Sequence, residues 1–150
     1  MKESPQTQNF EKFLRSSRLV AGGFMGDDVR SVYEIVEADM AELSRLGFTA
    51  KKVAERMQQI TDIAIPGLGT WVKLDEQRQV KIYEAKGWLV CPWSHPGKFA
   101  KRITTVSIAK SGVSISWSDL NIHLIGEHGF FEGKGSNFRI EPRSLIAAIF

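Results

Sequence analysis

The hydrophobic period changes once along this chain, and that change limits the fold more than any motif does. Up to residue 67 the apolar side chains recur three and four apart, as one buried face of a helix requires. From Thr70 onward they alternate, as in strands that bury one face. Helices followed by a run of strands specify an α+β class. Connections between the strands are short and contain glycine, which favours antiparallel hairpins. The expected architecture is a set of N-terminal helices, including a helical hairpin, packed on an antiparallel sheet of about four to five strands. A short helix, a Gly-rich loop and a C-terminal helix should follow.

Within that frame, Phe10, Phe13 and Leu14 predict a short first helix capped by Asn9, with residues 1–8 as a flexible tail. Asp27 and Asp28 suit the positive end of a second helix. Its apolar stripe would be Val29, Val32, Tyr33, Val36, Met40 and Leu43, with Glu34, Glu37, Asp39 and Glu42 projecting away and Gly47 as its stop. Thr49 caps a third helix whose inner face is Val53, Met57, Ile60 and Ala64, and Pro66-Gly67 ends it. The connection around Gly47 is short enough to fold these two helices into an antiparallel pair. Strands are expected at residues 71–74, 80–84, 88–90, 103–109 and 113–117, with turns at Lys86-Gly87 and at residues 110–112. Ser118 or Asp119 then caps a helix carrying Leu120, Leu124 and Ile125, and Gly129 stops it. Residues 138–140 read as a last short strand, and Pro142 opens the terminal helix.

At 150 residues the chain has the size of one domain that needs no disulfide or metal to stabilise its core. Its single cysteine cannot form an internal disulfide, and the polar residues 1–9 lack the apolar stretch of a secretion signal. No apolar run is long enough to span a bilayer, so a cytoplasmic protein without a membrane partner is expected. Charge is unevenly placed: residues 1–75 carry a net −1 and residues 76–150 a net +4. The excess concentrates in residues 77–118, where Arg78, Lys81, Lys86, Lys98, Lys101, Arg102 and Lys110 face only Glu84. An anionic partner would bind there.

All the cysteine and histidine side chains, Cys91, His95, His123 and His128, fall in the second half of the chain. Together they make a candidate zinc site of one cysteine and three histidines, although the spacing lacks the paired Cys-x-x-Cys form usual in structural zinc. Two histidines five apart on a helix point about 140° away from each other, so the helix would have to end between them. A second arrangement uses His123 and Glu127, one turn apart on the same face, with an outside ligand. Without a metal, Cys91 reads as a small buried hydrophobe and not as a nucleophile, since nothing beside it would lower a thiol pKa.

Two glycine-rich stretches imitate nucleotide loops without matching them. Residues 126–136 have Gly133, Lys134 and Ser136, but Gly135 intervenes, the position five before Gly133 is His128, and Glu127 and Glu132 would repel phosphate. This stretch is expected to be an exposed loop anchored by Phe130 and Phe131. At residues 21–26 a dinucleotide fingerprint would need glycine where Ala21 stands, and Asp27 and Asp28 occupy the place of a pyrophosphate.

These features rank a non-catalytic binding or interaction domain first. Its surface is expected around Trp93, His95, His123, Glu127, His128 and Lys134, for a protein or small-molecule ligand. A metal-binding protein or metal-dependent enzyme using Cys91, His95, His123 and His128, with zinc, is second. Nucleic-acid binding through the basic, tryptophan-containing sheet, with Trp88, Trp93 and Phe99 as stacking platforms, is third. The acidic helical half and basic sheet half also suggest a homodimer.

Overall fold

The computed structural model describes residues 4–20, 22–93 and 96–150, so Ala21 and His95 lie outside the described residues. The fold is α+β: among those residues five α-helices accompany one four-stranded antiparallel sheet. The first helix, α1 (Pro5–Arg15), begins earlier than Asn9 suggested. Ser4 accepts a hydrogen bond from the backbone N–H of Thr7 at 3.1 Å, and Pro5 needs no N–H partner in the first turn. Residues 4–8 of the expected tail are therefore cap and helix.

The second helix, α2 (Val32–Arg45), starts later than expected. Ser31 and Glu34 form a reciprocal capping box, and the Glu11 carboxylate accepts from the Val32 N–H at 2.7 Å. Asp28 does not cap it. Its carboxylate instead accepts from the Arg30 guanidinium and from the Lys134 backbone N–H at 3.0 Å. Val29, assigned to the apolar stripe, lies before the helix and is 94% exposed. Tyr33 is exposed as well, and the buried face is Val32, Ile35, Asp39 and Leu43. Asp39 is buried because Arg139 meets it in a bidentate pair, with one bond at 3.0 Å. Thr49 caps α3 (Ala50–Ala64), whose Val53, Met57, Ile60 and Ala64 are buried, and a 3-10 turn (Ile65–Gly67) ends it.

Strands β1 (Val72–Lys73), β2 (Arg78–Leu89), β3 (Phe99–Ile108) and β4 (Ser114–Ser118) pair in chain order as a meander. The two segments expected at residues 80–84 and 88–90 belong to one strand. Lys86-Gly87 is a bulge and not a hairpin turn: between the pairs Glu84↔Arg102 and Trp88↔Ala100, three residues of β2 stand opposite Lys101 alone. Gly87 takes a φ of +105° there, which a side-chain-bearing residue rarely adopts.

Ser118 ends β4 and caps α4 (Asp119–His128) with no loop between them, in a capping box with Asn121. Gly129 stops α4 in the left-handed conformation. Residues 138–140 form no strand; they lead into α5 (Pro142–Ile149), with one hydrogen bond from Ile140 N–H to the Phe131 carbonyl at 3.3 Å. The tight turn between α2 and α3 is as expected, but α3 packs chiefly along α4, and α2 meets α5.

One apolar cluster lies between α3, α5 and the sheet face carrying Val80, Ile82, Val106 and Trp117. A buried polar chain within it is satisfied: Trp117 donates to Thr61 Oγ1 at 3.0 Å, and the Thr61 and Thr104 hydroxyls share a hydrogen bond at 2.7 Å. A second cluster gathers Leu14, Phe24, Ile35, Cys91, Leu124 and Phe130. Helix α4 belongs to both, and each of its buried leucines and isoleucines stabilises the fold by about 1.5–3 kcal/mol. No described helix is long and apolar enough to cross a membrane.

Candidate metal centre

Because α4 faces two clusters, little of its circumference remains. Ile122 and Ile125 face one cluster and Leu120 and Leu124 the other, and the strip left over carries His123, Glu127 and His128. The chain leaving β2 passes this strip. Leu89 still pairs with Phe99, then Cys91 and Pro92 are buried, which places the Cys91 Sγ 3.4 Å from His128 Nε2. The backbone N–H of Trp93 also donates to that sulfur at 3.4 Å.

His123 joins them. One donor atom each from Cys91, His123 and His128 lies within 4.8 Å of the others, with the cysteine buried and both histidines half-buried. The helix does not end between the histidines, as their spacing required; both lie inside α4, and their ring centroids are nevertheless 5.3 Å apart. His128 is the last helical residue, and its ring turns back toward His123. Aromatic walls hold both rings: Trp93 stacks on His128 at 4.2 Å with a 10° tilt, and Phe99 lies 4.6 Å from His123. Phe10 and Phe130 meet Trp93 edge-on in turn.

These separations suit a metal. Tetrahedral zinc with bonds of about 2.3 Å to sulfur and about 2.05 Å to nitrogen sets the two ligand atoms about 3.6 Å apart. The Cys91 to His128 separation already lies close to that value, and with all three donor atoms within 4.8 Å the third ligand closes by at most about 1.5 Å, within the reach of side-chain rotation. Burial pushes the Cys91 thiol up, with the Trp93 N–H opposing, so in the absence of a cation it is a neutral thiol and a poor nucleophile.

The other expected site residues divide. His95 lies outside the described residues. Glu127 is exposed and outside the converging set, but with His128, Trp93, Phe10, Tyr33 and Val36 it lines an adjoining cleft of about 280 Å³. Lys134 takes no part: its backbone binds Asp27 and Asp28, and its side chain is exposed. Phe130 and Phe131 anchor the loop at residues 129–136 as expected, but the loop is exposed only at Lys134 and Gly135: Glu132 and Gly133 are buried too, and the Gly133 N–H donates to the Phe24 carbonyl at 2.8 Å. The two glycine-rich stretches meet each other: a methyl on Gly26 would overlap the backbone of residues 135 and 136. Their glycines serve close backbone approach, not phosphate binding.

Glu132, close in sequence to Glu127 and His128, lines a different cleft, of about 350 Å³, between Leu19, Val20, Gly23 and Phe24, the β2–β3 face, and Asn137 and Phe138. Its carboxyl is buried, accepting from Asn121 Nδ2 at 2.8 Å and Ser136 Oγ at 2.7 Å. Burial raises its pKa to about 7 against those two donors and the Arg139 charge. No local pattern announces this residue, because its partners come from α4 and from the loop itself.

The basic sheet is partly engaged within the protein. Arg78 binds Asp75 and the carbonyls of Ala148 and Phe150, and Arg102 pairs with Glu84 and Asp119. Trp93 and Phe99 face the histidines, while Trp88 remains 61% exposed. No family model, no curated protein and no solved structure matches this chain.

Proposed function

We propose that this is a metal-binding protein that holds one borderline-soft divalent cation, zinc by preference, through Cys91 Sγ and a ring nitrogen each of His123 and His128. The convergence of those three donor atoms within 4.8 Å, from two separate elements, carries the reading. A thiolate with two imidazoles is a donor set that favours zinc over magnesium or calcium, which take oxygen ligands. Three ligands leave a fourth position, and the adjoining cleft walled by Trp93, Tyr33 and Glu127 gives an outside ligand a route toward His128. His95, four residues after Cys91 in the sequence and outside the described residues, is the other ligand to test for that position.

Elemental analysis of protein purified without affinity tag or chelator should find about one zinc per chain. Replacing it with cobalt(II) should produce a sulfur-to-cobalt charge-transfer band that Cys91→Ser removes. His95→Ala then decides the fourth position: retained metal with a readily exchanged outside ligand assigns it to the cleft, and a large loss of affinity assigns it to His95. Failure to bind zinc or cobalt stoichiometrically, or binding that survives both Cys91→Ser and His123→Ala, would overturn the proposal.

A further inference from the structure

A second site, sharing no residue with the metal centre, lies on the far side of Ser118 and Leu120. Its depth is readable from the exposure of its walls. Phe24, Leu120, Ser118 and Glu132 are buried and form the floor, whereas Tyr83, Ala85, Lys101 and Asn137 are exposed and form the rim. Leu19, Val20, Leu89 and Ile103, half-buried, make the apolar sides. At about 350 Å³ the cleft has the volume of a small-molecule pocket.

The floor carries one ionisable group. Asn121 and Ser136 each donate to a different oxygen of Glu132, and a carboxylate offers about four lone-pair sites, so each oxygen keeps capacity for another donor. Arg139 donates to the backbone carbonyl of Glu132, and its guanidinium is engaged by Asp39 and Glu141. An anion entering this floor would be buried beside a carboxylate, which is costly without a counter-charge. An N–H donor would complete the pattern. The left-handed backbone of Glu132, with φ of +68°, is unusual for a residue with a side chain and is held by the loop around it.

We propose that this cleft binds a small amphipathic amine, its apolar body against Leu19, Val20, Leu89 and Ile103 and its ammonium group on the Glu132 carboxylate. Three compounds with a common apolar body test it: 2-phenylethylamine, 2-phenylethanol and phenylacetate, each titrated into the isotopically labelled full chain at about pH 8 and followed by amide shifts. The amine should give saturable shifts at residues 19–24, 101–103 and 132–138. Glu132→Gln should weaken it by about ten- to a hundredfold, the range expected for losing one charge-assisted hydrogen bond, and leave 2-phenylethanol unaffected. Ala85→Trp, a change at the exposed rim, should block both compounds without altering the melting temperature. Shifts that do not saturate, or that map elsewhere, would overturn the proposal. So would phenylacetate binding as well as the amine, or an amine affinity indifferent to Glu132→Gln.

Discussion

Replacing Glu132 by glutamine isolates the energetic consequence of burying one carboxyl group. The side chain is 4% exposed, and burial outweighs two hydrogen-bond donors and a nearby guanidinium to raise its pKa from 4.5 to about 7. In the unfolded chain the same group releases its proton near the ordinary value. Between those limits the native state therefore holds more protons than the unfolded state, and the free energy of unfolding falls as pH rises. The stabilisation is complete below about pH 4.5, is lost progressively up to about pH 7, and changes no further above it. The rise from 4.5 to about 7 corresponds to about 3 kcal/mol. Glutamine has nearly the same shape. Its oxygen can accept from Asn121 Nδ2, and its NH₂ can donate to Ser136 Oγ, which now sits 2.7 Å from the carboxylate. The variant should match the wild type at about pH 4 and exceed it by up to about 3 kcal/mol at about pH 8. Urea unfolding of both proteins across that range measures this directly, because every other titrating group is common to the two and cancels in the difference. A difference that stays constant with pH, or a wild type that gains on the variant as pH rises, would refute the reasoning.

Four further outcomes follow from named contacts. Asp39→Asn should destabilise the protein by about 1.5–3 kcal/mol in urea unfolding, since the buried Arg139 guanidinium loses its bidentate counter-charge and keeps only Glu141. Gly26→Ala should cost well over the roughly 1 kcal/mol of an ordinary left-handed glycine, because the methyl overlaps residues 135 and 136; Gly112→Ala, where nothing lies within 4 Å, is the matched control. Val29→Ser should change stability by no more than about 0.5 kcal/mol, a result that would fail if Val29 lay on the buried stripe of α2. Chelation of the native protein should lower its melting temperature, and Cys91→Ser should abolish that sensitivity.

The converging Cys91, His123 and His128 show why pattern-reading from sequence reaches a site only partway. The residue types, and their concentration in one half of the chain, are plain in the sequence. The angular argument against two histidines five apart assumed side chains fixed along radial directions, and it fails because His128 closes the helix next to Gly129. Glu127, which the same argument favoured, satisfies helical spacing but stays exposed outside the set. Lys134 meets the rest of the protein through its backbone, which accepts from the Asp27 N–H and donates to the Asp28 carboxylate.

Sequence by itself determined what depends on neighbours a few residues apart. The order of helices and strands, the cap at Thr49, a helix start at Ser118 or Asp119, the glycine stop at Gly129 and the inner face of α3 all rest on period and capping, which act within one or two turns. Tertiary structure alone decided which polar groups are buried. Asp39 looked like one more outward acid until Arg139, 100 residues away, paired with it. Asp28 suits a helix end by its position, yet it pairs with Arg30 two residues on, and the Lys134 N–H, 106 residues away, adds the contact that no local pattern shows. Burying a charge is unfavourable unless a partner arrives to compensate it, and that partner is chosen by the packing of distant elements, so no local pattern records it.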